Sequence, residues 1–400
     1  MSRFFCCVTG ETSNSAPPEE VFDDEPLADT ESLNRLWRDE LQIPDTRSRG
    51  VEVIHIAEPD ATLFPVTPPL PANCGRPYRW HEILHSTLNF RQKFYLGKGN
   101  FGEVYRCHFE RTNEVGAVKI QAHNNETGHK EFLAEVTTLH EANHPNVIKL
   151  LGRCYGRRNR AIVYEFMPNG TLGRHIFDYM RKSPIPQGLE QPTRVLNWVT
   201  RMKIAEGVAE GLIYLHEVLK VINQDIKAGN ILLDANFVPK LTDFGLATNV
   251  VVNRRGVEKR SKITELKGTM GYIAPEAEQS HWVSTKYDVY SYGVFLIVLF
   301  TGRRPYNQNP NETVPDDKRK LTDWFLRVWA RYGDVPEAAD TALGNTYSVE
   351  GLTRIFQTAR LCISAEPQGR PPMRDVVGMV RQAAAFPVRV VPLVKRGHTI

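Results

Sequence analysis

Residues 222–234 constrain this chain more than any other stretch, because three polar groups precede an apolar run at fixed offsets. Asp225, Lys227 and Asn230 come within six positions, and the apolar run Ile231–Leu233 follows directly. A carboxylate can accept a hydroxyl proton, an ammonium group can neutralise a phosphate, and an amide oxygen can bind a metal ion. We therefore interpret this stretch as part of a site for phosphoryl transfer.

The composition is that of an ordinary globular protein. Hydrophobic residues make up 41% and charged residues 24% of the 400 positions, enough for roughly two or three domain-sized cores. The net charge of +4 is too small to indicate a nucleic-acid partner. The longest apolar run, 294–300, is far shorter than the ~20 residues of a membrane-spanning helix. With six scattered cysteines and no signal peptide, we expect a cytoplasmic protein.

Residues 1–75 are expected to be a largely disordered region, because acidic clusters alternate with Ser, Thr and Pro. Within it, 32–41 has helical apolar spacing and 51–56 could form a strand. We interpret both as transient structure rather than as a docking segment. Cys6 and Cys7 are candidate lipidation sites that would place the chain at the inner face of the plasma membrane. That both cysteines remain unmodified thiols is an equally good interpretation.

A glycine-rich pattern of the form G-x-G-x-x-G-x-V precedes this site by more than a hundred residues. It predicts two strands joined by a turn whose backbone amides approach phosphate oxygens. Dinucleotide-binding folds share the first six letters, but a helix follows there, whereas residues 104–109 here have strand character. This excludes a dinucleotide-dependent oxidoreductase. The pattern consists of Gly97, Lys98, Gly99, Asn100, Phe101, Gly102 and Val104.

Further motifs follow in a fixed order. The motif Val-Gly-Ala-Val-Lys-Ile occupies residues 115–120 and contains Lys119. Asp-Phe-Gly begins at Asp243, and Ala-Pro-Glu ends at Glu276. Together with residues 222–234, these motifs resemble those of eukaryotic protein kinases. The resemblance covers about residues 79–385 and implies a bilobal α+β fold. A small β-rich N-lobe with one main helix (about 79–165) would precede a large, mainly helical C-lobe (about 168–385), followed by a tail at 386–400.

The resemblance also assigns roles to the site residues. Asp225 would accept the substrate proton, Lys227 would neutralise the moving phosphoryl group, and Asn230 with Asp243 would hold Mg²⁺ or Mn²⁺. The expected pairing of Lys119 is with Glu135 on the following helix, and Glu131, one turn earlier, is the weaker candidate. The ATP-binding set comprises Gly97, Lys98, Gly99, Asn100, Phe101, Gly102, Val104, Ala117, Lys119, Glu135, Glu165, Met167 and Leu232, with Tyr164 gating the back of the pocket.

Two structural roles follow from the same resemblance. Glu276 and Arg370 would form a buried ion pair, and Asp288 would hold the backbone of residues 222–234.

Lys227 and the Gly268-Thr269 pair resemble the serine/threonine branch of the family. Several phrases resemble plant receptor-like kinases and, without a membrane span, predict a receptor-like cytoplasmic kinase. Its expected partners are ATP, proteins with Ser or Thr, and receptor-like kinases, and not nucleic acid.

Two letters depart from the family pattern. Asn223 stands where His is usual, and we expect it to donate one hydrogen bond, to pack less well and to lower activity. Gln224 stands where an Arg usually binds a phosphate on the activation loop, as in a non-RD kinase. Loop phosphorylation should therefore not act through position 224. The candidate phosphosites are Ser261, Thr264 and Thr269.

Two other functions are alternatives to an active kinase. A pseudokinase scaffold that binds nucleotide and partner kinases would explain Asn223, but it fits poorly with the intact Lys119, Asp225 and Asp243. A membrane-associated adaptor that works through residues 1–75 is an alternative of another class. The basic residues of 254–267 could bind a phosphate or an acidic partner. A solvated charged loop without a ligand is an equally good interpretation of them.

Overall fold

The computed structural model describes residues 74–99, 102–121, 126–156, 159–178, 195–306, 319–332 and 338–390. All of them belong to one unit of the chain, Pro68–Ile400. Several predictions fall outside these residues, namely the helix at 32–41, the strand at 51–56, Cys6, Cys7, Asn100 and Phe101.

The N-lobe is built on a six-stranded sheet in the order β1-β5-β6-β4-β3-β2. Every neighbouring pair is antiparallel except β1 and β5, which run parallel. The first strand lies three residues before the predicted start of the kinase region at 79. The strands are β1 (Arg76–Pro77), β2 (Tyr95–Gly99), β3 (Gly102–Phe109), β4 (Glu114–Gln121), β5 (Leu150–Tyr155) and β6 (Arg160–Glu165).

Alternating side chains of β6 face opposite sides of this sheet, as the two-residue period of a strand requires. Ile162 and Tyr164 join the main core with helix α2 (Glu126–Glu141). Ala161 and Val163 join a second cluster that includes Ile83 of helix α1 (Trp80–Ser86). In that cluster Tyr78 stacks on Phe109 with ring centroids 4.3 Å apart. The sheet is therefore covered on both faces.

The C-lobe is mainly helical. Its first long helix was predicted from Leu196 onward and begins two residues later, where the Asn197 side chain accepts from the Thr200 amide at 2.9 Å. A π-helical turn, Tyr214–Leu219, extends it. The helices of this lobe are α3 (Trp198–Ile213), α4 (Pro275–Ser280), α5 (Thr285–Thr301), α6 (Leu321–Tyr332), α7 (Val349–Cys362) and α8 (Met373–Ala384).

Short strands accompany these helices. They are β7 (Val221–Ile222), β8 (Ile231–Leu233), β9 (Pro239–Leu241), β10 (Thr248–Asn249), β11 (Val251–Val252), β12 (Glu258–Lys259), β13 (Ser261–Lys262), β14 (Trp282–Val283), β15 (Thr346–Tyr347) and β16 (Arg389–Val390). They pair as β7 with β10, β8 with β9, β11 with β12, β13 with β14, and β15 with β16.

Helix α5 forms the centre of the C-lobe, and nearly all its residues are buried. This explains the apolar run at 294–300, because a helix enclosed on all sides needs apolar residues all round. Gly293 lets α7 approach closely, since a Cβ at this position would lie 2.6 Å from the Cβ of Cys362. Among the described residues, no helix combines the length and apolarity needed to cross a membrane.

A buried ion pair joins the end of residues 243–276, which we call the activation segment, to the connection between α7 and α8. Arg370, 1% exposed, binds both carboxylate oxygens of Glu276 at 2.7 Å. This bidentate geometry is the strongest form of such a contact. The predicted bilobal α+β kinase fold is confirmed by the β-sheet N-lobe and the helical C-lobe.

Candidate active site

The glycine-rich residues form the facing ends of β2 and β3. Gly97 lies opposite Val104, and Gly99 lies opposite Gly102. Lys98 and Gly99 are exposed, so this end of the hairpin is accessible to a ligand. In the next pairing, Val104 lies opposite Lys119 of β4. The pairings therefore bring the glycine-rich strands beside the predicted phosphate-binding lysine.

Lys119 bridges two carboxylates. Its Nζ lies 2.9 Å from Glu135 Oε2 on α2 and 2.9 Å from Asp243 Oδ1. Burial lowers the pKa of Lys119, but the charges of Asp243 and Glu135 outweigh it and raise the pKa above its usual value. The lysine therefore keeps its charge, and α2, β4 and the Asp-Phe-Gly motif are joined at one point.

Tyr164, at the back of the predicted pocket, also contacts this group. Its hydroxyl donates to Glu135 Oε1 at 2.7 Å. Burial, followed by the charge of Glu135, raises the pKa of Tyr164 well above its usual value, so the hydroxyl stays a donor. The family resemblance implies only a gating role for Tyr164. The contact with Glu135 lies 29 positions away in sequence, and no local pattern signals it.

Asp225 lies in residues 222–234, which we call the catalytic loop, and it is surrounded by polar side chains. Its Oδ2 accepts from Lys227 Nζ at 2.7 Å and from Asn230 Nδ2 at 2.8 Å. Its Oδ1 accepts from the Thr269 hydroxyl at 2.7 Å. The Lys227 ammonium also donates to Thr269 at 2.8 Å. Thr269, predicted only as a candidate phosphosite, therefore belongs to the site itself.

The backbone of the catalytic loop is held by a carboxylate from α5. The amides of Asn223 and Gln224 donate to Asp288 Oδ2 and Oδ1 at 2.8 and 2.9 Å. His216 Nε2 lies 2.8 Å from the same Oδ2. Asp288 is fully buried, so these bonds are formed away from water. This is the arrangement that the family resemblance implies for Asp288.

Asn223 behaves differently from the expectation. Its side-chain oxygen accepts from the Asp225 amide at 3.0 Å, and its Nδ2 has no hydrogen-bond partner among the described residues. The predicted single donated bond is therefore wrong, because the nearest partner is an amide that needs an acceptor. An unpaired buried donor costs about 1–3 kcal/mol.

Gln224 contacts the first part of the activation segment. Its Nε2 donates to the Leu246 carbonyl at 2.7 Å and to the Thr248 hydroxyl at 3.0 Å. Gln224 is buried and has a φ of 68°, a left-handed conformation that few non-glycine residues adopt. A neutral amide thus occupies the place of the family's Arg and binds protein groups there.

The remaining predicted ATP-binding residues include Glu165 and Met167 in the connection between the two lobes, residues 165–168, which we call the hinge. Ala117 and Leu232 are half-buried, and Met167 is buried. The Glu165 amide donates to the Lys149 carbonyl at 3.1 Å, so this amide is already used within the protein. The Glu165 carboxylate accepts from Lys240 Nζ at 2.8 Å. This salt bridge joins the hinge to β9 just before Asp243.

Asp243 and Asn230 offer oxygens suited to a magnesium ion. Asn230 uses its Nδ2 as the donor to Asp225, which leaves its Oδ1 as an acceptor. Asp243 uses Oδ1 for Lys119, and its second oxygen can bind a cation. In the described ranges, no group of three His, Cys, Asp or Glu residues could hold a metal. Mg²⁺ is usually bound by one or two protein oxygens together with waters and phosphates, so this donor pair fits it.

The other two candidate phosphosites differ in accessibility. Ser261 lies in β13, and its hydroxyl is buried with no partner in the described part of the chain. Thr264 is exposed. A modifying enzyme would reach Thr264 directly, whereas Ser261 would first have to leave its pairing with β14.

A family model described as protein kinase domain matches residues 90–377. Three relatives from Arabidopsis thaliana align over most of the chain. An L-type lectin-domain containing receptor kinase IV.2 is 37% identical over 313 residues, covering 78% of this chain and 43% of the relative. The probable serine/threonine-protein kinase PBL6 is 39% identical over 302 residues, covering 75% and 67%. The receptor-like kinase LIP2 is 35% identical over 336 residues, covering 84% and 55%.

The matched region spans about half the length of the two receptor kinases and about two thirds of the serine/threonine-protein kinase. The match therefore concerns the kinase region that these proteins share. Since the family model covers residues 90–377 and the relatives are plant serine/threonine and receptor-like kinases, the chain belongs to the protein kinase family, in its plant receptor-like serine/threonine class.

Proposed function

We propose that this chain transfers the γ-phosphoryl group of ATP to Ser or Thr hydroxyls of protein substrates. The observation that supports this most is the set of bonds around Asp225. Lys227, Asn230 and Thr269 all donate to its carboxylate at 2.7–2.8 Å. These bonds fix the carboxylate that would orient the substrate hydroxyl and accept its proton.

The remaining residues would position ATP and balance charge. Lys119 would contact its phosphates, and Glu135 holds the lysine in place. Asp243 and Asn230 would hold Mg²⁺, which supplies neutralisation of the phosphate charge when bound. Lys227 would compensate the charge on the transferred group. Because the transition state is loose, placement and charge compensation account for most of the catalysis.

Two single variants test this function. Asp225→Asn removes the proton acceptor, and Lys119→Ala removes the phosphate contact, so each should lower the rate of Ser/Thr peptide phosphorylation by about 100-fold or more. The measurement is transfer of radiolabelled phosphate from ATP to a peptide library. Lys262→Ala, an exposed charge on β13, is the matched control and should keep the wild-type rate.

Wild-type turnover in either pure variant would rule the function out. The alternative, a pseudokinase scaffold, rests on Asn223 and its unpaired donor. It predicts that wild type binds ATP but transfers no more phosphate than Asp225→Asn does.

We also infer that control of this kinase does not depend on a phosphate bound at position 224. Gln224 carries no charge and already donates to Leu246 and Thr248. A phosphate needs a charge-assisted donor pair of the kind that Arg provides. The first part of the activation segment is held here by neutral hydrogen bonds instead.

Partners and location are inferred from the relatives' names and from the sequence. One relative is named a receptor kinase and another a receptor-like kinase, which supports a signalling role alongside such proteins. Peripheral membrane attachment would require acylation of Cys6 and Cys7. Palmitate incorporation that survives replacement of both cysteines by serine would remove that hypothesis.

A further inference from the structure

An ion pair joins the late part of the activation segment (residues 243–276) to helix α2. The Lys267 ammonium lies 3.2 Å from Glu131 Oε1. Glu131 is buried and precedes Glu135 by four residues, so both carboxylates lie on the same side of the helix. Glu135 binds Lys119. Helix α2 thus contacts the phosphate-binding lysine through one carboxylate and the activation segment through the other.

A short and restricted path leads from Lys267 to Asp225. Gly268 has a φ of 125°, and a Cβ there would lie 2.7 Å from the Tyr287 hydroxyl. Gly268 is therefore packed too closely against Tyr287 to carry a side chain. The next residue is Thr269, whose hydroxyl donates to Asp225 Oδ1 at 2.7 Å. Only Gly268 separates Lys267 from Thr269, so the position of Lys267 limits where this hydroxyl can lie.

The charge balance at Glu131 depends on Lys267. Burial raises the pKa of Glu131, the hydrogen bond and charge of Lys267 lower it, and Asp243 raises it further, with a smaller lowering from Lys119. Without Lys267, the carboxylate would lose its hydrogen-bonded cation in a place where burial and Asp243 both disfavour its charge. The contact between α2 and the activation segment would then be lost.

We propose that Lys267 is a positioning residue, which acts through its ion pair with Glu131 to hold Thr269 against Asp225 without any phosphate on the segment. Gln224 fixes the first part of the segment, at Leu246 and Thr248, and Lys267 fixes the last part. The proposal rests on the phosphoryl-transfer function above and assigns to unmodified side chains the ordering of the segment for catalysis.

A double-mutant cycle tests the pair. Lys267→Ala should lower kcat by about five- to tenfold, because a partly buried charge-assisted contact is lost. The dissociation constant for ATP should stay within about twofold, since the proposed effect is on Asp225 rather than on the nucleotide site. In a Glu131→Ala background, the same Lys267→Ala change should lower kcat by less than about twofold.

Two control variants separate positioning from a general loss of structure. Lys267→Arg keeps the charge and should keep most of kcat, whereas Lys262→Ala removes a neighbouring exposed charge and should leave kcat unchanged. An equal fall in kcat in both Glu131 backgrounds, or a Lys267→Ala rate equal to wild type, overturns the proposal.

Hydrogen exchange tests the same contact independently of turnover. Amides of residues 263–272 should exchange faster in Lys267→Ala than in wild type or Lys262→Ala, because the segment loses its attachment to α2. Unchanged exchange overturns the proposal. A wild-type chain without phosphoryl transfer would instead overturn the proposed function, and the exchange result would still decide the role of Lys267.

Discussion

The two halves of the catalytic loop are held in different ways. In residues 225–230, which we call the base half, the side chains of Lys227 and Asn230 both donate to the Asp225 carboxylate. In residues 222–224, the support half, two backbone amides bond to one carboxylate from α5. Position 223 even keeps a side-chain donor with no partner in the described structure. Side-chain identity is therefore critical to the geometry around Asp225 in the base half. The support half is held mainly by its backbone bonds, and its Gln224 side chain contacts the activation segment instead.

The largest effect should come from removing the carboxylate that supports both amides. Asp288→Ala would leave two buried amides and His216 without their acceptor, each at a cost of about 1–3 kcal/mol. We expect the free energy of unfolding to fall by about 3 kcal/mol or more. Denaturant unfolding measures it, with Asp375→Ala on the exposed side of α8 as the control. A loss below about 1 kcal/mol would show that the amides are not the critical contacts.

A smaller effect is expected at position 223. Asn223→Ala removes the acceptor for the Asp225 amide, at a cost of about 1 kcal/mol, but it also removes the unpaired Nδ2. The two changes oppose each other, so kcat should fall by less than about fivefold. Asn230→Ala in the base half should lower kcat far more, because it removes a donor to Asp225 and a predicted metal ligand. Similar losses of kcat at both positions would show that side-chain identity matters equally in the two halves.

The smallest effect is expected from the phosphosites that position 224 would have served. Replacing Ser261 and Thr264 together by alanine should change kcat by less than about twofold, since Gln224 offers no charge to a phosphate there. A peptide kinase assay measures this, with Thr269→Ala as the variant that should reduce turnover. A collapse of turnover in the double variant would show that the segment depends on its own phosphorylation.

Much of the fold and of the central site follows from the sequence, because local periodicity and motif order carry it. The helical spacing predicts Glu135 as the partner of Lys119, and Lys119 Nζ lies 2.9 Å from Glu135 Oε2. The apolar run at 294–300 indicates a buried element, and α5 is buried throughout that run. Such features depend on residues that are close in sequence or on a spacing that the family shares.

Other features depend on contacts that no local pattern encodes. Lys267 and Glu131 are 136 positions apart, so their pairing exists only once the lobes have folded. The role of Asn223 as an acceptor depends on which neighbouring group lacks a partner. The two-residue strand β1 (Arg76–Pro77) is too short for its period to be read. Tertiary context decides each of these.

The segment that holds β1 and α1 lies before the matched family region, which begins at residue 90. Tyr78 and Ile83 of this segment are 4% and 0% exposed and cover one face of the N-lobe sheet. A chain that began at residue 90 would expose Cys107, Val118 and Val163 to solvent as a contiguous apolar surface. In a cell, such a surface invites aggregation and capture by chaperones and proteases. The practical limit of the folding unit therefore lies outside the region that defines the family.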